Sequence, residues 1–376
     1  MAELRALSLK PVVLATGGTG GHVFPAEALA GELEARGLPF ALVTDSRGRQ
    51  WQGALARRPI HYIRSASPSG SLQRRLLALL SLGLGLFDAW RALGRIGPAA
   101  VVGFGGYASV PTMIAARLRR LPAMVHEQNA VLGKANRLVL GGVAKVATSF
   151  ARTRFVGDKA YLVGNPVRDA VRALRGSVYR APGPDRVIDL LVFGGSQGAA
   201  SFSQVIPDAI LSLPQPTRAR LRLVQQCRPE DLERVRGRYL QANIVAELAP
   251  FFADLPQRLA SAHLVIGRSG ASTVAELATI GRPSILVPYP HAADDHQTAN
   301  ARAFEAAGAC LVIPHAELTA ATLAAHLAAL FAAPERMAAM AGAAHAAGRP
   351  DAAARLADLV GELIAAPSLS PSGVAA

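Results

Sequence analysis

The chain has 376 residues, enough for two ordinary domains that each bury a core, and with 18% charged residues and a positive mean hydropathy it is not a disordered chain. A formal net charge of +14 calls for an anionic partner or reflects an Arg-rich background. Only 5% of residues are aromatic and none interleaves with a basic cluster, so a stacking platform for nucleic acid is excluded, and a membrane surface or phosphate ligands fit better.

Residues 1–10 hold no extended apolar core and no small-residue cleavage site, so no export signal is expected. Cys227 and Cys310 lie far apart without metal-ligand spacing, which suits a reducing cytosol. From residue 11 to about 165, β-type runs at 12–15, 40–43, 60–63, 100–102, 123–125, 143–146 and 161–163 alternate with helical stretches. Alternation of this kind predicts an α/β domain with a doubly wound parallel sheet, whose ligands lie at the carboxyl ends of the strands. Leu29 and Leu33 sit one turn apart on the first helix, and Gly37 is placed to close it.

The loops after these strands carry the signals. Gly17-Gly18-Thr19-Gly20-Gly21-His22 joins the first strand to the first helix, and its glycines let backbone N–H groups approach an anion. Either a phosphate cradle or a tight strand-to-helix turn explains it, and Val23 spoils the dinucleotide fingerprint. The stretch 72–93 combines a leucine-rich face (Leu76, Leu77, Leu79, Leu80, Leu84, Leu86) with Arg74, Arg75, Arg91 and Arg95, and reads equally as a helix lying on an anionic membrane or as a core-facing helix. Its longest uncharged apolar run, 76–87, is too short to cross a bilayer. Another glycine loop follows at 103–106. His126-Glu127-Gln128-Asn129 comes directly after the strand at 123–125, where polar residues meet a substrate or close a turn.

Residues 169–186 have linker composition, after which the pattern restarts with β-type runs at 187–193, 221–224, 243–246, 263–266, 284–287 and 310–313. Gly194-Gly195-Ser196-Gln197-Gly198 repeats the strand, glycine loop and helix arrangement. So does the segment from Gly267 to Glu276, whose helix N-terminus suits a pyrophosphate. Glu276 could accept both hydroxyls of a ribose, or Thr273 and Glu276 form a capping box. Asp294-Asp295 reads as helix caps, not as a metal site.

Taken in order, Gly-Gly-Thr-Gly-Gly-His, Gly-Gly-Tyr, His-Glu-Gln-Asn, Gly-Asn-Pro-Val-Arg, Gly-Gly-Ser-Gln-Gly-Ala, Arg-Ser-Gly-Ala and Asp-x-x-Gln closely resemble the MurG family across residues 16–300. The resemblance implies a glycosyltransferase B fold, two doubly wound Rossmann-like domains facing an interdomain cleft. It implies inverting transfer of GlcNAc from UDP-GlcNAc to the C4 hydroxyl of MurNAc on undecaprenyl pyrophosphate, lipid I to lipid II, without cofactor or metal. The site is expected peripherally at the cytoplasmic face of the inner membrane, with an anionic membrane surface and cell-wall synthesis and division proteins as partners and no nucleic acid.

The same resemblance assigns the residues. His22 would be the general base, or a histidine at a helix start, with Thr19, Gly20 and Gly21 on the acceptor side. Asn129 and Gln297 would bind GlcNAc hydroxyls, Asn300 less directly. Arg168, Ser196, Gln197 and Gly198 would hold the diphosphate, Ala271 and Ser272 line the same donor site, Glu276 takes the ribose, and the Phe252 backbone meets the uracil edge. The segment 248–254 lacks the family's Ile-Asp-Asp, and Ser272 replaces a bulkier apolar residue. The implied domains are 10–168, an acceptor and membrane-associating half, a linker at 169–186, and 187–345 for the donor. A final helix at about 350–366 is expected to return to the first half, followed by a disordered tail at 367–376. Competing readings are a glycosyltransferase acting on diacylglycerol, a UDP-GlcNAc 2-epimerase, an NAD-dependent oxidoreductase using Asp45, and a lipid-carrier module.

Overall fold

The structure is a computed structural model that describes residues 10–17, 20–50, 59–66, 71–183, 185–195 and 198–366, without the side chains of Arg49, Gln50, Leu72, Arg74 and Arg75. Thr19, Ser196, Gln197 and the tail 367–376 therefore lie outside the described residues. The chain forms two compact units, Met1–Pro166 together with Asp351–Ala376, and Val167–Pro350.

In the first unit the elements run β1 (Val12–Ala15), α1 (Gly20–Ala35), β2 (Phe40–Thr44), β3 (Ile60–Tyr62), α2 (Leu72–Ile96), β4 (Ala100–Gly103), α3 (Val110–Leu118), β5 (Ala123–Glu127), α4 (Lys134–Val139), β6 (Lys145–Thr148) and β7 (Ala160–Leu162). The strands form one parallel sheet in the order β3-β2-β1-β4-β5-β6-β7. Val12 is in register with Phe40 on one side and Ala100 on the other, so the order reverses at β1. That reversal opens a crevice at the carboxyl ends of β1 and β4, the place where such sheets bind ligands.

Covered on both faces, β1 is apolar throughout, and its alternate residues serve different cores. Val12 and Leu14 pack with Leu29 and Leu33 of α1, while Val13 faces Leu93 of α2 and Met113 of α3. Ala26, Leu29, Ala30 and Leu33 repeat at helical spacing and are buried. The helix closes where Leu38 N donates to Leu33 O at 2.8 Å around Gly37. The C-terminal helix, Ala352–Ala365, belongs to this unit: Leu356, Val360 and Leu363 join the core of Leu14 and Leu29. Asp358 and Glu362 pair with Arg36 at 2.6 Å and Lys145 at 2.5 Å.

The second unit repeats the plan. It opens with a short helix α5 (Asp169–Arg172) whose Val171 is fully buried, so the stretch with linker composition is partly folded into it. Then come β8 (Ile188–Phe193), α6 (Ala200–Leu211), β9 (Leu221–Gln226), α7 (Leu232–Gln241), β10 (Ala246–Ala249), β11 (Leu264–Gly267), α8 (Ala271–Ile280), β12 (Ser284–Leu286), α9 (His296–Ala306) and β13 (Cys310–Val312). The sheet is parallel in the order β10-β9-β8-β11-β12-β13, the same reversal about its first strand. β6 starts two residues later than expected, at Lys145, and β10 is displaced further. The run at 243–246 looks extended, but Asn243 adopts a left-handed φ of +54° as the chain leaves α7, and pairing starts only at Ala246.

Candidate active site

In the first unit the crevice beside β1 holds His22. It lies in the first turn of α1, with Thr16 Oγ1 donating to the His22 carbonyl at 3.0 Å, and Gly20 and Gly21 are the first two residues of that helix. The imidazole lies against Gly105 and Gly106, which have φ of +86° and +70°; a Cβ on either would meet a ring carbon at 3.3 Å. Only glycine combines that backbone with that contact. His22 Nδ1 is 3.0 Å from Gln128 Oε1, and Gln128 Nε2 is 3.0 Å from Phe104 O and 3.1 Å from both His126 Nδ1 and His126 O. His126 Nε2 is 3.0 Å from Gly164 O. His126 and Glu127, expected beyond the strand, are its last two residues and are buried, His126 completely. Burial, and secondarily the neighbouring His22, lower the His126 pKa to about 4 against the raising effect of the Gly164 hydrogen bond.

Glu127 organises the loop that follows. Oε1 accepts from Asn129 N at 3.0 Å and Asn129 Nδ2 at 3.1 Å, while Oε2 accepts from Gly133 N at 2.9 Å and Asn136 Nδ2 at 2.8 Å. One buried carboxylate thus fixes the backbone and the side-chain orientation of Asn129. Asp45, the ribose candidate of an NAD site, is buried and held by Arg47 at 2.5 Å.

The second unit places its glycine turn after β8. Gly198 has φ of +68°, and a Cβ there would meet Arg228 Cγ at 2.9 Å. The turn is held from the end of β9 by Gln226, whose Oε1 accepts from Gly194 N at 3.0 Å while Nε2 donates to Gly195 O at 3.1 Å and Pro250 O at 3.0 Å. Sequence reading missed Gln226, as it missed a role for Gln128; their common signal is a glutamine where a strand ends beside a glycine loop.

Helix α8 starts at Ala271 with Gly270 as its N-cap, so Thr273 is inside the helix and the capping-box reading of Glu276 fails. Glu276 instead accepts from Arg168, Nη2 at 2.8 Å and Nε at 3.1 Å. Burial raises its pKa, and the Arg168 charge and hydrogen bond pull against that. Ala271 is buried and Ser272 half-buried at the same helix N-terminus. Gln297 Oε1 accepts from Tyr289 N at 3.0 Å, and its carbonyl accepts from Ser269 Oγ at 2.8 Å. Asn300 is fully buried and donates to Ser269 O at 3.1 Å, a support for the turn. Asp295 occupies the N-cap position of α9 without a side-chain capping bond, contrary to the cap expected there. The Phe252 ring is buried, with the Arg258 guanidinium 4.4 Å from its centroid.

Two features lie apart from these loops. A cavity of about 360 Å³ is lined by Asp189, Arg222 and Glu247 near the amino-terminal ends of β8 to β10, the wrong end of the sheet for the ligand crevice. Helix α2 divides along its length. Ala89 and Leu93 are in the core and Asp88 pairs with Arg64 at 2.7 Å, whereas Leu76, Leu77, Leu79 and Leu80 are 57–66% exposed. Its segment Leu76–Ile96 is long and apolar enough to cross a membrane by length and composition, longer than the run at 76–87 suggested, but its second half is built into the fold.

Residues 12–148 match the glycosyltransferase family 28 N-terminal domain and residues 189–356 its C-terminal domain. The chain is 53% identical over 358 residues, 94% of each chain, to the UDP-N-acetylglucosamine--N-acetylmuramyl-(pentapeptide) pyrophosphoryl-undecaprenol N-acetylglucosamine transferase of Rhodospirillum centenum. It is 54% identical to the protein of the same name from Paramagnetospirillum magneticum, covering 94% of this chain and 97% of that one. The crystal structure of Acinetobacter baumannii MurG aligns with a TM-score of 0.79 and 30% identity, over 94% of this chain and 99% of that one. A UDP-N-acetylglucosamine 2-epimerase structure from Listeria monocytogenes aligns at a TM-score of 0.67 but only 16% identity, a likeness of fold alone. With two parallel-sheet domains of the glycosyltransferase B type and full-length identity above one half, the chain belongs to the MurG family of N-acetylglucosaminyltransferases.

Proposed function

We propose that this chain transfers N-acetylglucosamine from UDP-N-acetylglucosamine to the C4 hydroxyl of the MurNAc unit of undecaprenyl-pyrophosphoryl-MurNAc-pentapeptide, with inversion at the anomeric carbon. The observation that carries this is identity above one half across 94% of the chain with enzymes named for that transfer. His22 takes the hydroxyl proton, the freed oxygen attacks C1 opposite the diphosphate, and the C1–O bond breaks with its electron pair leaving on UDP. Negative charge then grows on the diphosphate, where fixed donors lower the barrier. The candidates are the glycine turn Gly194 to Gly198 with Ser196 and Gln197, the N-terminus of α8 at Ala271 and Ser272, and Arg168. Glu276 receives the ribose hydroxyls, Asn129 and Gln297 those of the sugar, and the backbone at Phe252 the uracil. Thr19, Gly20 and Gly21 face the acceptor.

The lipid acceptor brings the reaction to a membrane surface. The exposed leucines of α2 and the exposed Arg91 and Arg95 on the same helix support peripheral contact with anionic lipid, for which we propose the cytoplasmic face of the membrane. The decisive assay is release of UDP from UDP-N-acetylglucosamine with a lipid I analogue, with diacylglycerol, and with neither. Release is expected with the lipid I analogue alone; equal release with diacylglycerol, or without any acceptor, overturns the assignment.

A further inference from the structure

We propose that Gln128 is a positioning residue that holds His22 in the Nδ1–H tautomer, leaving Nε2 as the nitrogen that receives the acceptor proton. The inference rests on the reading of His22 as general base and adds to it which nitrogen acts and what selects it.

Every proton in this chain of contacts is assigned by groups that can only accept. Gly164 O is a carbonyl, so His126 Nε2, 3.0 Å away, carries the hydrogen. Neutral His126 then has a bare Nδ1 that accepts, and its strongly lowered pKa keeps it neutral at pH 7. Gln128 Nε2 faces that nitrogen and two carbonyls, Phe104 O at 3.0 Å and His126 O at 3.1 Å, so three acceptors share its two hydrogens. Turning the amide over would set Oε1 against both carbonyls and the bare nitrogen, so its orientation is fixed. The oxygen that remains toward His22 accepts, and His22 Nδ1 at 3.0 Å must donate. In the neutral imidazole the other nitrogen is then basic. Nε2 lies on the Gly106 side of the ring, 3.6 Å from where a Cβ at that residue would stand, so a side chain there would crowd it.

The test reads tautomers directly. In full-length wild-type protein labelled with ¹⁵N-histidine, with resonances assigned by His22→Ala and His126→Gln, ring ¹⁵N shifts near neutral pH should show His22 protonated on Nδ1 and His126 on Nε2. His22 protonated on Nε2 in the wild type overturns the proposal without any variant. In Gln128→Leu, His22 should move toward the Nε2–H form that free imidazoles prefer. With it kcat should fall about 10- to 100-fold while KM for UDP-N-acetylglucosamine changes little, the range known for losing the hydrogen-bond partner that fixes the tautomer of a metal-ligating histidine. An unchanged His22 tautomer in that variant also overturns it. Failure of the base reading is distinguishable: His22→Ala would then keep its turnover whatever the wild-type spectrum shows.

Discussion

The Arg168 guanidinium gives two hydrogen bonds to one oxygen of Glu276, at 2.8 and 3.1 Å, which couples two residues that the family resemblance assigns to different parts of the nucleotide. Glu276 is 7% exposed; burial pushes its pKa up, and the Arg168 charge and hydrogen bond oppose that push. Arg168 thus holds the carboxylate proposed to take the ribose, besides its own proposed contact with phosphate.

Coupling of this kind predicts non-additivity. Arg168→Ala and Glu276→Gln should each weaken UDP binding, and the double variant should lose less than the sum, with an interaction of about 0.5–3 kcal/mol by calorimetry. In Arg168→Ala the Glu276 carboxyl rises further, so UDP affinity should recover as pH increases and the carboxylate forms. Additive losses with no change in pH dependence would mean that the two residues act independently.

The exposed leucines of α2 predict a surface effect without a folding effect. Replacing Leu76, Leu77, Leu79 and Leu80 together by Ser should reduce sedimentation with anionic vesicles severalfold. The thermal midpoint should move little, because these side chains are more than half exposed and bury little area on folding. Vesicle binding equal to that of the parent would remove α2 from the membrane contact.

Much of this fold is legible in the chain because a parallel sheet covered on both faces demands apolar runs. Among the described residues, all thirteen strands coincide with such a run or overlap it. The failures have local causes. Ile244 and Val245 have strand character, but Asn243 in a left-handed conformation delays β10. His126 and Glu127 look like loop residues, yet β5 runs through them because their polar atoms are hydrogen-bonded inside the fold. The pairing of Arg168 with Glu276 spans 108 positions, and no local pattern encodes it. Gln226 carries no motif, and the His-Glu-Gln-Asn motif does not say what Gln128 does; only the carbonyls and amides around them reveal what they hold.

The C-terminal helix predicts a stability effect confined to one unit. Leu356 is fully buried in the core shared with Leu14 and Leu29, so Leu356→Ala should destabilise the first unit by about 2–5 kcal/mol. Trp90, on α2, belongs to that unit, so in a Trp51→Phe background its fluorescence follows the unit's urea transition. UDP affinity, assigned to the second unit, should persist in conditions where both units remain folded. Loss of UDP binding with an unmoved fluorescence transition would contradict the helix's place.

The last prediction concerns acid. His126 has a folded pKa of about 4 against an ordinary 6.5, so between those values the unfolded chain binds the proton and the folded chain resists it. The stability linked to this group is therefore fully present above about pH 6.5, declines as pH falls toward 4, and changes no further once both states are protonated. A gap of that size corresponds to about 3 kcal/mol. Carboxylates titrate over the same range, so the measured quantity is the difference between the wild type and His126→Gln, which cannot charge. Urea unfolding followed by tryptophan fluorescence at pH 7 and pH 4.5 should show that difference shrinking by more than 1 kcal/mol, or reversing, at the lower pH. Parallel pH profiles for the two proteins would mean that His126 charges in the folded state at its ordinary pKa, which its complete burial and its bond to Gly164 O argue against.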